Sequence, residues 1–361
     1  MSRVLVVATS RKTRGGITSV VKAHETGEQW KKFHCVWIET HRDGPAWRKI
    51  AYFIWACIEY LFLLPFADIV HIHVGLETSI TRKNFFAVLA KECFYCGKLN
   101  HRKIIVHFHP SNEDVFRDEK YYQRLKSLFD KADKILVLSP VWKTSIQQAY
   151  PSSKYDMEVL WNPCPKVERN VEYKKKQILY AGTILRRKGY DVLLRAFGKL
   201  AVNYPDWCLA FAGNPYYEDG INELAEGKKL AKELKISNQV RWLGWVSGSE
   251  KEKVFNESSI YCLASDGEGF PMGVLDAWAY GIPCVMTPVG GIPDIVVDGV
   301  NGLLFPVGDV DALAVQLERL MIDEVFRTSI VCNSDKLVSS IFCIDNINKQ
   351  LEGVYMDLMS S

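Results

Sequence analysis

The stretch at residues 265–276, SDGEGFPMGVLD, combines two acids with closely spaced glycines. A carboxylate accepts two hydrogen bonds from a vicinal diol, so Glu268 and Asp276 suit a sugar or a ribose. Gly267 and Gly269 allow the backbone to approach a ligand closely, and the amides that follow would open a helix, where a phosphate is stabilised. The stretch predicts a site for phosphate and sugar hydroxyls; the alternative is that its glycines only turn the chain.

Three further loops carry groups that suit a diphosphate. Residues 184–189, ILRRKG, place three cations between a predicted strand and a helix entrance, although such a triplet can also be a solvated surface run. Residues 288–291, PVGG, follow the strand after the first stretch and could close on the same ligand. Residues 10–16, SRKTRGG, resemble a phosphate-approach loop, but the dinucleotide pattern GxGxxG is absent, which disfavours a dehydrogenase.

Two predicted strands, 68–74 and 103–110, each carry a His-x-His pair. Alternation along a strand puts the two histidines of each pair on one face. A metal site is one interpretation, but core positions are favoured, because only strand ends reach the crevice of a doubly wound sheet. His73 and His109 occupy those ends, and His109, which precedes Pro-Ser-Asn, is the better candidate for a functional imidazole.

These loops need a scaffold, and the chain alternates apolar strands with helices throughout. The pattern predicts an α/β fold with two Rossmann-like doubly wound domains and a ligand in the cleft between them. The polar run at 167–176 marks a linker, so we predict domains at 1–170 and 171–340. Residues 341–361 are predicted to be a C-terminal helix that packs back on the first domain.

The composition is that of a soluble globular protein, with 48% hydrophobic and 24% charged residues. A net charge of +3 does not by itself imply a nucleic-acid partner. The ten cysteines are scattered, mostly within apolar runs, as is typical of buried thiols in a reducing compartment. Cys93 and Cys96 form a lone CxxC, which we interpret as helix neighbours. No secretory signal is recognised, and Val4–Ala8 reads as a first strand.

Residues 47–67, WRKIAYFIWACIEYLFLLPFA, are apolar nearly all round. Glu59 and Pro65 interrupt the run, so its charge-free parts are shorter than the roughly 20 residues that span a bilayer, and we exclude a transmembrane helix. Two interpretations stay open. One is a buried core helix, and the other is a helix that lies in a membrane interface with Arg48 and Lys49 at its rim.

With these motifs in place, the chain resembles the family 4 retaining glycosyltransferases, of the group 1 type with a GT-B fold. The resemblance rests on EGFPMGVLDAWAYGIPCVMTPVGGIPDIVVDGVNGLLFPVGD at 268–309, with AGTILRRKGYDVLLRAF, the RGGI loop, HFHPSNEDVF and Asn162-Pro163 as weaker matches. It covers almost the whole chain and is strongest from 177 to 322. It implies a first domain that binds the acceptor and a second that binds a nucleotide-sugar.

The resemblance also implies roles for matching residues. Glu268 would contact the transferred sugar, and Asp276 would bind the ribose. Lys188 would contact the diphosphate, and His109 would lie near the reacting carbon. These three, Glu268, Lys188 and His109, are the expected catalytic residues. The remaining donor-binding positions implied by the family are Gly16, Arg187, Gly269, Phe270, Pro271 and Met272.

Two positions depart from the family pattern. Asp276 stands where the family usually has glutamate, so its reach is shorter by about 1.5 Å. Thr183 stands where an arginine is common, and Arg187 is the residue that could supply the missing cation. If neither Arg186 nor Arg187 reaches the diphosphate, Lys188 acts alone.

The resemblance implies transfer of a sugar from a nucleotide diphosphate-sugar to a saccharide or lipid-linked saccharide, with retention, in the synthesis of a cell-surface polysaccharide. No metal or other cofactor is expected, and the expected location is cytoplasmic, at the inner face of the membrane. A nucleotide-sugar epimerase with the same fold and a non-catalytic nucleotide-sugar-binding protein are the alternatives.

Overall fold

The computed structural model describes residues 3–75, 78–92, 102–170, 174–215 and 222–360. The chain divides into an N-terminal unit, Met1–Pro163 with Phe342–Ser361, and a C-terminal unit, Cys164–Ile341. The polar run had placed the boundary at residue 170. It lies earlier because Cys164 donates to the Leu275 carbonyl at 3.5 Å and the Arg169 guanidinium donates to main-chain carbonyls at the end of a helix of the C-terminal unit.

The N-terminal unit contains a parallel sheet in the order β2-β1-β3-β4-β5-β6. Its strands are β1 (Val4–Ala8), β2 (Val36–Glu39), β3 (Ile69–Val74), β4 (Lys103–Phe108), β5 (Lys134–Val137) and β6 (Met157–Val159). Its helices among the described residues before Pro163 are α1 (Gly16–Glu25), α2 (Glu28–Lys32), α3 (Ala46–Leu63), α4 (Thr78–Glu92), α5 (Glu119–Phe129) and α6 (Pro140–Ala149).

The C-terminal unit contains a second parallel sheet, in the order β12-β11-β10-β7-β8-β9. Its strands are β7 (Lys175–Ala181), β8 (Cys208–Ala212), β9 (Val240–Gly244), β10 (Ser258–Leu263), β11 (Cys284–Met286) and β12 (Leu303–Leu304). Its described helices are α7 (Tyr190–Leu200), α8 (Glu223–Glu233), α9 (Ser249–Glu257), α10 (Met272–Ala279), α11 (Val310–Ile322) and α12 (Glu324–Ser340).

Both sheets have the doubly wound topology that the sequence predicts. β1 has β2 on one side and β3 on the other, and β7 has β8 on one side and β10 on the other. The strand order therefore reverses between β1 and β3 and between β7 and β10. Ligands of such sheets bind beyond the carboxyl ends of the strands at this switch point. The predicted site residues follow β1, β7 and β10 of these strands, and His109 follows β4, the neighbour of β3.

The remaining helix, α13 (Ile344–Ser360), belongs to the N-terminal unit. Its apolar face, which includes Leu351, Val354 and Tyr355, joins a core cluster with strands β1, β3 and β4. The Gln350 amide donates to the Val159 carbonyl of β6 at 2.8 Å. The last residues of the chain thus complete the core of the unit that its first residues begin.

Helix α3 exposes most of its apolar surface. Only Ala56 and Tyr60 of the helix are buried, and the Tyr60 hydroxyl donates to the Phe86 carbonyl of α4 at 2.9 Å. Trp47, Trp55 and Phe62 are 67%, 66% and 73% exposed. The buried-core interpretation of this segment is therefore wrong. Only a narrow face of the helix packs against the N-terminal unit, and most of its large apolar side chains lie outside that face.

By length and composition alone, the segment Ala46–Phe66 is long and apolar enough to cross a membrane, and 17% of it is buried in the fold. The packing of its narrow face against α4 distinguishes it from an isolated spanning helix. A single such helix is weak evidence for a span, so the exclusion of a transmembrane helix stays a prediction.

The sequence analysis does not predict helix α12, because its 17 residues show no clear apolar stripe and bury only Ile330 and Ser334. Cys93 and Cys96, the lone CxxC, lie outside the described residues.

Candidate active site

A buried ion pair joins the loops that follow β7 and β10. The Lys188 ammonium donates to the Glu268 Oε1 atom at 2.5 Å, and the Ser265 hydroxyl donates to the same oxygen at 2.7 Å. Glu268 is only 7% exposed. A buried carboxylate is stable only when it is paired and hydrogen-bonded, and here both conditions hold. The two residues that the sequence assigned to catalysis in this unit are therefore in direct contact.

Two hydrogen bonds to main-chain carbonyls also hold the two loops together. The Arg187 guanidinium donates to the Gly267 carbonyl at 2.6 Å, and the Asp266 amide donates to the Arg187 carbonyl at 2.9 Å. Arg187 thus lies at the switch point, whereas Arg186 is largely exposed beside Glu223. That Arg187 supplies the cation missing at Thr183 stays a prediction.

Two glycines allow this close approach. Gly189, at φ +69°, ends the turn that carries Lys188, and a Cβ there would lie 2.0 Å from the Ala264 carbonyl oxygen. Gly290, at φ +56°, belongs to the predicted second glycine loop, and a Cβ there would lie 1.8 Å from the Glu268 carbonyl oxygen. The Gly291 amide donates to the Gly269 carbonyl at 3.0 Å. The 288–291 loop therefore packs directly against residues 264–271, which we call the acidic loop. Its closure on a ligand stays a prediction.

Helix α10 begins at the acidic loop, with Pro271 at its N-cap and Met272 as its first residue. The amides of a first helical turn lack partners within the helix, and the helix dipole places positive charge there. Gly281, at φ +63°, ends the element in the left-handed conformation that glycine tolerates. The predicted donor-binding stretch from Gly269 to Met272 therefore forms the entrance of a helix beside Lys188 and Glu268.

Asp276 lies one turn further along α10 and has its own cation. The Lys251 ammonium of α9 is 2.7 Å from the Asp276 carboxylate. Burial raises the pKa of Asp276, and Lys251 opposes that shift. The ribose role implied for Asp276 stays a prediction. A ribose there would meet a carboxylate that already shares a hydrogen bond with a lysine.

The N-terminal unit carries the other two predicted site residues. Gly16 is the first residue of α1, after Gly15 at φ +149°, and His109 follows β4. A Cβ on Gly75, which follows β3, would lie 3.4 Å from the Ile17 side chain and 3.9 Å from the His109 carbonyl oxygen. The loops that carry Gly16 and His109 thus meet at the switch point of the first sheet.

His109 is buried, and its Nε2 atom is 3.0 Å from the Nδ1 atom of His73. Burial lowers the pKa of His109 to about 3, with a smaller contribution from His24. The ring is therefore neutral at pH 7 and can exchange hydrogen bonds, but it is not a source of positive charge. The predicted pairing of histidines on one strand face is confirmed, since the rings of His71 and His73 stack 4.4 Å apart.

Three polar residues of the C-terminal unit were missed in the sequence. Ser265 and Thr287 anchor the acidic loop, Ser265 through the Glu268 carboxylate and Thr287 through the Ser265 carbonyl at 2.5 Å. Their positions just after β10 and β11 were a usable signal. Lys251 offers no such signal, because it belongs to a charged surface helix whose approach to Asp276 depends on tertiary packing.

Residues 166–336 match the family model described as glycosyl transferases group 1. Among curated proteins, the lipopolysaccharide 1,6-galactosyltransferase of Salmonella typhimurium is 29% identical over 232 residues, which cover 61% of this chain and 61% of that protein. The match covers 50% and 61% of the length of two other curated relatives, both uncharacterized glycosyltransferases, so this chain spans only part of each.

Solved structures match over nearly the whole chain. Sucrose-phosphate synthase from Thermosynechococcus elongatus gives a TM-score of 0.80 at 16% identity and covers 100% of both chains. Anabaena HepE in complex with UDP-glucose gives a TM-score of 0.76 at 16% identity, with 99% of this chain and 100% of that one covered. At this identity the likeness shows the fold, and it confirms the GT-B prediction. Residues 166–336 therefore match the glycosyl transferases group 1 family, in a chain with the GT-B fold.

Proposed function

We propose that this protein transfers a sugar from a nucleotide diphosphate-sugar to a saccharide or lipid-linked saccharide, with retention of the anomeric configuration, as a family 4 glycosyltransferase. The observation that carries the proposal is the contact between Lys188 and Glu268 beside the entrance of α10. It combines a cation for a diphosphate, an acceptor for sugar hydroxyls and a helix dipole at one switch point.

The reaction breaks the bond between the anomeric carbon and a diphosphate oxygen, and that oxygen takes the bonding electrons. Lys188 and the α10 N-terminus would stabilise this charge, which is the main contribution that a preorganised site makes. The acceptor hydroxyl forms its bond to the anomeric carbon on the face that the diphosphate leaves, and its proton passes to the departing phosphate. Glu268 would accept hydrogen bonds from the sugar and keep it oriented.

Two kinds of relative support the donor and acceptor classes. Anabaena HepE is described in complex with UDP-glucose, and a relative from Corynebacterium urealyticum is a D-inositol 3-phosphate glycosyltransferase. The Salmonella relative acts on lipopolysaccharide by its name. We propose a nucleotide-sugar donor on this basis and a role in the synthesis of a cell-surface polysaccharide.

The donor charge needs no metal in this proposal, because Lys188, Arg187 and the α10 N-terminus supply positive charge. Burial of Glu268 against Lys188 and Ser265 leaves that carboxylate engaged with protein donors. We expect transfer to proceed at an unchanged rate with a chelator present during the assay. A chelator-dependent loss that Mg²⁺ or Mn²⁺ restores would assign the diphosphate to a metal instead.

The first experiment is a thermal-shift panel of nucleoside diphosphates and their sugars, followed by transfer assays with the donor that stabilises the protein most. We expect a product whose new glycosidic bond has the anomeric configuration of the donor. An inverted product would refute retention. Conversion of the donor without any acceptor would identify an epimerase, and binding with neither transfer nor hydrolysis would identify a binding protein.

We further propose that α3 lies in the interface of an anionic membrane, at the cytoplasmic face, and brings a lipid-linked acceptor to the enzyme. Its exposed apolar side chains are Trp47, Ile50, Ile54, Trp55, Ile58, Leu61 and Phe62, followed by Phe66. Arg48 and Lys49 lie in its first turn, where they can reach lipid phosphates. The free cysteines among the described residues are in keeping with a reducing compartment.

Binding to vesicles of phosphatidylcholine and phosphatidylserine tests this surface. The double variant I54E/F62E should lower binding at least about tenfold, since charge is costly at an apolar interface. The matched control is V202E/V325E, because Val202 and Val325 are apolar residues of the C-terminal unit that are even more exposed than Ile54 and Phe62. Equal vesicle binding by both double variants and the wild type would refute the membrane role without affecting the transferase proposal.

A further inference from the structure

Five histidine rings meet in the interior of the N-terminal unit. They are His24 of α1, His71 and His73 of β3, His107 of β4 and His109 just after β4, and all are buried. The register pairs His73 with His107 across the two strands. Ring centres lie 4.8 Å apart for His73 and His107 and 4.3 Å apart for His107 and His109. We call this group the histidine cluster.

One nitrogen of several rings is already held by a neighbouring side chain. The Nδ1 atoms and their partners are His24 with Asn348 Oδ1 at 3.0 Å, His71 with the Tyr355 hydroxyl at 2.7 Å, and His73 with His109 Nε2 at 3.0 Å. Histidines that ligate metals commonly use their second nitrogen in this way, and the contact fixes ring orientation and tautomer. Two of these partners, Asn348 and Tyr355, come from α13.

Five other nitrogens of the cluster are buried without a hydrogen bond among the described residues. They are the Nε2 atoms of His24, His71 and His73 and both nitrogens of His107. An unsatisfied buried polar atom costs about 1–3 kcal/mol, so such a concentration calls for a ligand or for a large compensating gain elsewhere. Ligand nitrogens of His71, His73 and His107 all lie within 4.8 Å of one another.

We propose that His71, His73 and His107 bind one divalent transition-metal ion, for which zinc is the reference ion. Two nitrogens bound to zinc at about 2.0–2.1 Å lie about 3.4 Å apart, so nitrogens that now lie within 4.8 Å of one another need to approach by at most about 1.4 Å. His24 supplies a further imidazole whose ring centre is 6.2 Å from those of His73 and His107.

The donor set selects the class of ion. Imidazole nitrogens suit zinc, nickel, cobalt and copper, whereas magnesium and calcium require oxygen ligands. The carbonyl oxygen of Asn348 accepts from the His24 Nδ1 atom and also from the Gln29 amide at 3.0 Å. An oxygen that accepts both bonds leaves the proton of His24 on Nδ1 and the lone pair on Nε2, which is the form that binds a metal.

A metal ion at this site would connect separate elements of the N-terminal unit. The ion would join β3 to β4 and, through the Tyr355 contact, both strands to α13. Its role would be to stabilise the N-terminal unit, and it is independent of the proposed transfer chemistry.

The test uses the full-length protein without a polyhistidine tag, dialysed against chelator and titrated with Zn²⁺ in competition with a chromophoric chelator. We expect one equivalent to bind, with a rise in Tm. Co²⁺ should give the visible absorption of a tetrahedral nitrogen-ligated site. The variant H107Q should weaken binding at least about tenfold, whereas the control H34N changes an exposed histidine outside the cluster and should bind as the wild type.

If H107Q fails to fold, Y355F removes only the outer partner of His71 and should lower zinc affinity by about 10–100-fold. Uptake of less than about 0.1 equivalent by the wild type, or a Tm that zinc does not change, would overturn the proposal and leave a stack of neutral core histidines. Equal zinc affinity in the wild type and in folded H107Q or Y355F would also overturn it, because the metal would then lie elsewhere.

Discussion

The switch points of the two sheets use opposite kinds of polar group. In the C-terminal unit, Glu268 and Lys188 are charged and in contact, and Ser265 completes the hydrogen bonds of the carboxylate. In the N-terminal unit, buried neutral imidazoles retain nitrogens that make no hydrogen bond to any residue the structure describes. The distribution is already present in the sequence, because all eight histidines lie before residue 110 and none lies between 164 and 341.

The difference shows how each group tolerates burial. Protonation of a carboxylate at pH 7 costs free energy, so the fold must supply a cation and a hydrogen-bond donor. The result is a site preorganised for charge. An imidazole becomes neutral on burial because its pKa falls. It can then be buried with a free lone pair at lower cost, and such lone pairs are available to a metal. The two regions are therefore suited to different ligands.

The largest expected effect is on the rate of transfer, when the cation of the charged site is removed. Lys188→Ala should lower the rate of transfer by about 100-fold or more, because it removes a charge that stabilises the departing diphosphate. The matched control is Lys199→Ala, which changes an exposed lysine of the same unit paired with Asp311 and should leave the rate unchanged. Steady-state kinetics with the identified donor measure both. An unchanged rate in Lys188→Ala would remove this residue from the mechanism.

The next effect tests the close packing of the loops around Glu268. Gly290→Ala would place a Cβ 1.8 Å from the Glu268 carbonyl oxygen, whereas Gly299→Ala, at a similar positive φ of +74°, would meet nothing within 4 Å. Both variants carry the backbone strain of about 1 kcal/mol, and only Gly290→Ala adds a steric clash, for about 3 kcal/mol in total. Denaturant unfolding and donor-induced thermal shifts measure the difference. Equal stability of the two variants would contradict the observed loop contact.

The third prediction sharpens the contrast between the units through pH. Burial lowers the pKa of His24 to about 4 and of His109 to about 3, below the value of about 6.5 in an unfolded chain. The unfolded chain therefore binds protons first, so this stability is complete above about pH 6.5 and is lost as the pH falls toward 4. In chelator-treated protein, hydrogen exchange followed unit by unit should show the N-terminal unit opening first. Opening of the histidine-free C-terminal unit at a higher pH would contradict this.

Much of the fold was predictable because it depends on local pattern. Apolar runs bounded by turns predicted the parallel strands, and Val4–Ala8, read as the first strand, is β1. The acidic loop was recognised because closely spaced glycines and acids next to a strand end indicate a site for phosphate and hydroxyl groups. Helix α12 escaped prediction because its few buried residues do not form a stripe. Helix α3 had two interpretations because an apolar run looks the same in a core and at a membrane.

The sequence by itself determined which residues follow the strand ends, and hence that Lys188 and Glu268 belong at a switch point, because side-chain period and loop position are local properties. Only the tertiary structure decided that Ser265 and Lys188 share one carboxylate oxygen and that Lys251 is paired with Asp276. It also decided that histidines from α1, β3 and β4 form one cluster, in which α13 holds one nitrogen of His24 and one of His71. These contacts join segments that are far apart along the chain, and their distances are set by how the strands and helices pack, which no local pattern encodes.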